Sequence, residues 1–256
     1  MRRNQGAAPA RKLIIFLQKS ILLLARHWFL VANLLSGIFL GLAVLAPALL
    51  AVGLTDAGQS IYRFLAPHDH QLPHRSYFLF SESGLIRTYS LEQVLAWGAD
   101  SDNLRAFVGN PTIGFKMALN HRMVASFLAI FCGGLGWGLA GGRPRLGPVG
   151  FLLLTLPLLV DGFSHMFSEN SGLGFRADNA WAINLTGGAL PAWFYEGTTL
   201  GSLNWLLRTI TGLLFGLGLV WFLFSYFSFR FGVIRAKLEP KLSKKGGIKT
   251  NGNTDA

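Results

Sequence analysis

Charge is scarce in this chain: Asp, Glu, Lys and Arg make up 14% of 256 residues, against roughly 25% in an average soluble domain. Cysteine is scarcer still. Only Cys132 occurs, inside an apolar run, so neither a disulfide framework nor a Cys-rich metal cluster can be built. No Gly-rich loop follows a strand pattern, which excludes a nucleotide-binding motif and ATP coupling within the chain. No Ser sits in an elbow or triad context, so Ser76, Ser164 and Ser202 are poor nucleophile candidates. What is abundant is apolar: 51% of residues are hydrophobic, with 21 Phe and 7 Trp. Lipid is the solvent that such a composition suits.

Four apolar stretches are long enough to cross the ~30 Å hydrocarbon layer as helices. They are expected near 29–54, 119–140, 146–167 and 202–229. The fold class is therefore an all-α membrane protein with about four transmembrane helices. Residues 1–28 read as a basic N-terminus and a separate helix lying in the membrane interface, without signal cleavage. Residues 29–229 form the four-span domain, with large loops at 55–118 and 168–201, and 230–256 read as a basic, disordered tail. Within the first loop, Ser90 is expected to cap a short helix, with Glu92 and Gln93 in its first turn. Gly133, Gly134, Gly136 and Gly138, and the Gly212–Gly216 pair, read as surfaces for close helix packing.

The net charge of +11 would suggest nucleic acid on a soluble surface. Here 15 of the 23 basic residues fall in the segments before the first span, between the second and third, and after the fourth, opposed only by Glu239 and Asp255. That asymmetry places both termini in the cytoplasm of a multi-pass protein of the cell membrane, with lipids as partners and no role for nucleic acid.

With that orientation, several polar groups converge on the extracytoplasmic side. Asn120 and Arg122 begin the second span; Asp161 and His165, four residues apart, end the third; Asn204 and Arg208, again four apart, begin the fourth. His70, Gln71 and Arg75 belong to the polar run that opens the first loop. Charges inside spans cost roughly 2.5–3.5 kcal/mol each on insertion scales, so Asp161 and Arg208 are expected to pair across the bundle, either as a structural lock or as part of a site. As a site, Arg75, Arg122 and Arg208, with Gln71, Asn120 and Asn204, would bind a phosphate or carboxylate such as a lipid headgroup. Asp161, with His165 or His70, are the candidates for acid–base catalysis on a lipid-linked substrate. Asp69, His70 and His165 form a weaker metal alternative, and no cofactor is indicated. A structural subunit of a larger membrane complex, with other membrane subunits as partners, is the further alternative.

The blocks His70-Gln71-Leu72-Pro73-His74-Arg75-Ser76, Asn120-His121-Arg122, Pro157 with Asp161-Gly162, and Ser202-Leu203-Asn204 with Arg208-Thr209-Ile210-Thr211-Gly212 resemble a prokaryotic membrane family catalogued as domain of unknown function 2085. The family pattern has Cys-His-Gln-x-Pro-x-Arg-Ser, a later Cys-x-Arg, a Pro…Asp-Gly segment ending in Gln, and Ser-x-Asn…Arg-x-x-Thr-Gly. The resemblance covers about residues 60–216 and implies a multi-span membrane protein without an established activity. Asp69 stands where the family has its first Cys, Asn120 where it has its second, and His165 where it has Gln. If the family's thiols form a disulfide or hold a soft metal, that chemistry is absent here. Asp69 and Asn120 could instead hydrogen-bond across the same gap, or Asp69, His70 and His165 form a harder-ligand site.

Overall fold

The structure is a computed structural model that describes residues 7–243 apart from 85 and 144, with side chains from residue 11 onward. Four helices are long and apolar enough to cross a membrane. The first, α1 (Ala7–Ala51), is one unbroken helix of 45 residues. At 1.5 Å per residue it is roughly 68 Å long, about twice the hydrocarbon thickness. The separate interfacial helix expected before residue 28 is therefore not formed. Nothing between Lys12 and Trp28 can stop a helix, because Gln18, Lys19, Ser20 and Arg26 are polar without being breakers.

The second span is α4 (His121–Leu139) and the third α5 (Pro148–Asn170). The fourth begins as α9 (Leu203–Leu219), passes through a π-helical stretch at Val220–Phe224, and continues as α10 (Ser225–Ser243). The disorder expected from residue 230 is overturned over 230–243, where Arg26 Nε donates to Glu239 Oε1 at 3.0 Å and ties α1 to α10. The expectation for 244–256 lies outside the described residues.

Local chemistry sets the starts of these helices. The Asn120 side chain accepts from the Met123 N–H at 3.0 Å, and that of Ser202 from the Trp205 N–H at 3.3 Å, so α4 and α9 both begin on a side-chain cap. Pro148 occupies the first turn of α5, where no N–H is needed. Glycine decides how closely the spans approach. A Cβ at Gly216 would lie 2.5 Å from the Ser126 carbonyl oxygen, and one at Gly212 would lie 2.5 Å from that of Arg122. Gly134 meets Asn33 and Gly138 meets Phe29 in the same way. So α9 and α1 each press backbone-close against α4, and α9 also packs along α5, whereas α4 and α5 do not pack along each other.

The loop between α1 and α4 is not purely helical and irregular. After α2 (Thr55–Leu65) it forms a small antiparallel sheet from β1 (Ser76–Leu79), β2 (Gly109–Asn110) and β3 (Gly114–Asn120), in the order β1-β3-β2. Between β1 and β2 lies α3 (Leu91–Ala96), begun by a capping box in which Ser90 and Gln93 bond each other's backbone N–H. β3 runs straight into α4. Its Phe115, Met117, Ala118 and Leu119 pack on Ala43, Ala46 and Leu50 of α1 and on Tyr62 and Leu65 of α2. The sheet thus seats the loop on the ends of the spans.

The polar run after α2 is fixed by buried hydrogen bonds. Asp69 accepts from the Gln71 N–H at 2.6 Å and from the Asn120 N–H at 2.9 Å, so the two positions that replace the resembled family's cysteines are joined. Lys116, fully buried in β3, donates to the carbonyls of Gln71 (2.8 Å) and Arg105 (2.6 Å), and the Tyr62 hydroxyl donates to the Lys116 carbonyl. Burial pushes the Lys116 ammonium down to about 7, and the neighbouring Arg105 charge acts in the same direction.

Two glycines of α4 and α9 test the packing account. Gly216→Ala should destabilise by roughly 1–3 kcal/mol through overpacking against α4. Gly136 has open space where its Cβ would be, so Gly136→Ala should stabilise by up to about 1 kcal/mol. Thermal unfolding of both variants in detergent checks the opposite signs.

Candidate anion cleft at the loop end

The ends of α1 and α5 and the starts of α4 and α9 lie together with the two large loops at one end of the bundle. The ion pairs there centre on Asp161 of α5, which is 4% exposed. Its two carboxylate oxygens are taken by different arginines: Arg122 Nη2 donates to Oδ2 at 2.5 Å and Arg176 Nη2 to Oδ1 at 2.6 Å. Gly162 makes the first pairing possible, because a Cβ there would lie 3.2 Å from Arg122 Nη1.

The expected Asp161–Arg208 pair is therefore replaced. Arg208, 4% exposed, places Nη2 3.3 Å from His165 Nδ1, and among the described residues no carboxylate stands within 4 Å of it. His165 Nε2 is 3.2 Å from Arg176 Nη2 and 3.8 Å from Asp161 Oδ1. A guanidinium only donates and a neutral imidazole offers one acceptor nitrogen, so His165 accepts either from Arg208 through Nδ1 or from Arg176 through Nε2, and not from both.

Arg176 and Glu169 complete the cluster, and neither was expected from the sequence. The chain after α5 turns back through α6 (Phe175–Asp178), α7 (Ala180–Thr186) and α8 (Ala192–Tyr195). The Arg176 N–H donates to Ser168 Oγ at 2.9 Å, and its carbonyl accepts from Asn204 Nδ2 at 2.6 Å, which brings the guanidinium back over Asp161. Glu169 pairs with Arg75. Burial, and then the charge of Arg122, push the Arg75 guanidinium down to about 10, so it stays cationic at neutral pH. His74 is buried beside Arg75 and pushed down to about 3, by burial first and neighbouring cations second, so it is neutral.

A cleft of about 400 Å³ opens among these groups, lined by His70, Arg75, Asn120, Arg122, His165 and Arg208. Six of the residues singled out from the sequence thus share one cavity. The others do not. Gln71 is buried and donates to the carbonyls of Tyr62 (2.9 Å) and Ala118 (3.1 Å), a structural duty. Asn204 faces a neighbouring cleft. Asp161 lies behind the arginines, with both oxygens engaged, so it positions cations rather than acting as an open base. As for the metal alternative, Asp69 is occupied by two backbone N–H groups, away from His165, and among the described residues no three His, Cys, Asp or Glu side chains form a metal-holding group.

Four guanidinium groups, Arg75, Arg122, Arg176 and Arg208, face two carboxylates, Asp161 and Glu169. The excess of two positive charges is chemistry that an anion would satisfy. Comparison with family models, with curated proteins and with solved structures finds no match to this chain.

The two acids differ in what they hold. Asp161→Asn strands two guanidinium groups in a buried setting and should cost about 3–5 kcal/mol of stability. Glu169 is half exposed, and Glu169→Gln should cost no more than about 1 kcal/mol. Parallel melting curves in detergent measure both.

Proposed function

We propose that this protein binds an anionic ligand, of phosphate or carboxylate chemistry, in the arginine cleft at the extracytoplasmic end of a four-span bundle, with both termini in the cytoplasm. The orientation rests on the positive-inside distribution of Lys and Arg: the loop end carries ten acidic residues, whereas the opposite side is opposed only by Glu239 and Asp255. The binding role rests on one observation above all. Arg208 is buried, lacks a carboxylate partner among the described residues, and lines the cavity together with Arg75 and Arg122. A buried cation without a counter-ion is costly, and an anion in the cleft removes that cost.

A lipid headgroup fits this place because the cleft lies where the apolar spans end. The acid–base reading of Asp161 has less support, since both of its oxygens are held by arginines.

Protein in phosphatidylcholine nanodiscs, titrated with phosphatidylglycerol and read by native mass spectrometry, tests the proposal. Arg208→Gln removes one charge-assisted contact worth about 1.5–3 kcal/mol, so affinity should fall by roughly tenfold to a hundredfold. Arg75→Gln, at a more open position, should fall in the same direction while folding normally. Unchanged affinity in both folded variants would refute an anion site.

A further inference from the structure

A second cleft, of about 460 Å³, adjoins the arginine cleft and shares Leu72, Arg75, His165 and Glu169 with it. Its other walls come from the two extramembrane segments, through Leu91, Leu104, Ala177 and Gly197. It therefore lies beyond the arginine layer, away from the spans. Four buried polar atoms on its lining residues have no partner: Asn204 Oδ1, His74 Nδ1 and the Nε atoms of Arg75 and Arg176. Asn204 is 1% exposed, and its amide orientation is fixed, because Nδ2 donates to the Arg176 carbonyl at 2.6 Å and the Gly197 carbonyl at 2.8 Å. Turning the amide over would set its oxygen against two carbonyl oxygens. The unpaired atom is thus an acceptor, and burying an acceptor without a donor is unfavourable unless a ligand supplies one.

Beside the arginine cleft, α4 and α5 do not pack along each other. Gly162 and Met166 of α5 line the arginine cleft, and Met166 is 52% exposed, with Phe163 60% exposed beside it. The arginine cleft thus has an apolar border on its α5 side, against which an acyl chain can lie. A hydrogen-bonding cleft, a cationic layer and an apolar border are therefore contiguous.

Resting on the anion-binding reading, we infer that the ligand is a phospholipid with a hydroxylated headgroup, its phosphate on Arg75, Arg122 and Arg208, its hydroxyl groups in the second cleft toward Asn204 and His74, and its chains against the apolar border that Phe163 and Met166 form on α5. Each part of such a lipid then has one region to meet it. A free phosphate would use only the cationic one.

The test compares phosphatidylglycerol, phosphatidic acid and sn-glycerol 3-phosphate, each titrated into protein in phosphatidylcholine nanodiscs, with Ala177→Trp as a variant. Phosphatidic acid carries at least as much negative charge as phosphatidylglycerol, so charge alone cannot favour the latter. Phosphatidylglycerol should nevertheless bind about tenfold more tightly, and sn-glycerol 3-phosphate at least a hundredfold more weakly. Ala177 is an exposed residue on the wall of the second cleft. Its replacement by Trp should reduce phosphatidylglycerol to the affinity of phosphatidic acid while leaving the latter unchanged. Equal affinities of the two lipids for the unaltered protein would overturn the headgroup assignment while leaving the anion site standing. Equal affinity of sn-glycerol 3-phosphate would overturn the lipid assignment. Absence of binding by all three would overturn the anion site itself.

Discussion

One buried carboxylate in an apolar span constrains the whole loop end. Asp161 cannot remain ionised among helices without partners, and the two it has come from different directions: Arg122 from the start of α4 and Arg176 from the loop that folds back over α5. Holding both requires the span ends to be level, Gly162 to be small and the 168–201 segment to return on itself. The same arrangement uses up the carboxylate. Arg208, one helix away, is left to His165 and to the cleft. The site is thus a consequence of unequal charge: two carboxylates cannot neutralise four guanidinium groups, and the excess gathers in one place.

A second network carries the other wall. Asp69, Gln71, Arg105 and Lys116 spend their hydrogen-bonding groups on backbone rather than on a ligand, fixing the chain from Ala66 to Gln71 against β3. Because β3 enters α4 without a break, the position of Arg75 over the cleft and that of Arg122 beneath it are set by one rigid unit. Extramembrane sheet and spans act together, and the anion cleft lies at their junction.

Much of this was legible in the residues. Apolar length showed the four spans, and i,i+4 spacing put Asp161 with His165 and Asn204 with Arg208 on single helix faces. Ser90 announced its capping box three residues ahead of Gln93. Gly133, Gly134 and Gly138 of α4 and Gly212 and Gly216 of α9 face neighbouring helices, as their spacing implied, whereas Gly136 faces open space. What could not be read were contacts that no periodicity encodes. Arg176 belongs to a loop whose return depends on an αL residue, Asn179, and on side-chain bonds to backbone across 8 to 28 residues, and Glu169 to a last turn of α5 that the apolar run does not reach. β3 was hidden because Lys116 interrupts an apolar pattern, and only the fold shows that this lysine is buried among carbonyls. The partner of Asp161 was misassigned for the same reason: two cations in spans looked complete without a third from a loop.

The most direct measurement is a cryo-EM map of the protein in lipid nanodiscs containing phosphatidylglycerol, at a resolution that shows side chains. The account requires Asp161 bridging Arg122 and Arg176, with phosphate density touching Arg208 and Arg75 in the cleft between α4 and α5. Arg208 paired directly with Asp161, over a cleft that has closed and holds no density, would contradict it.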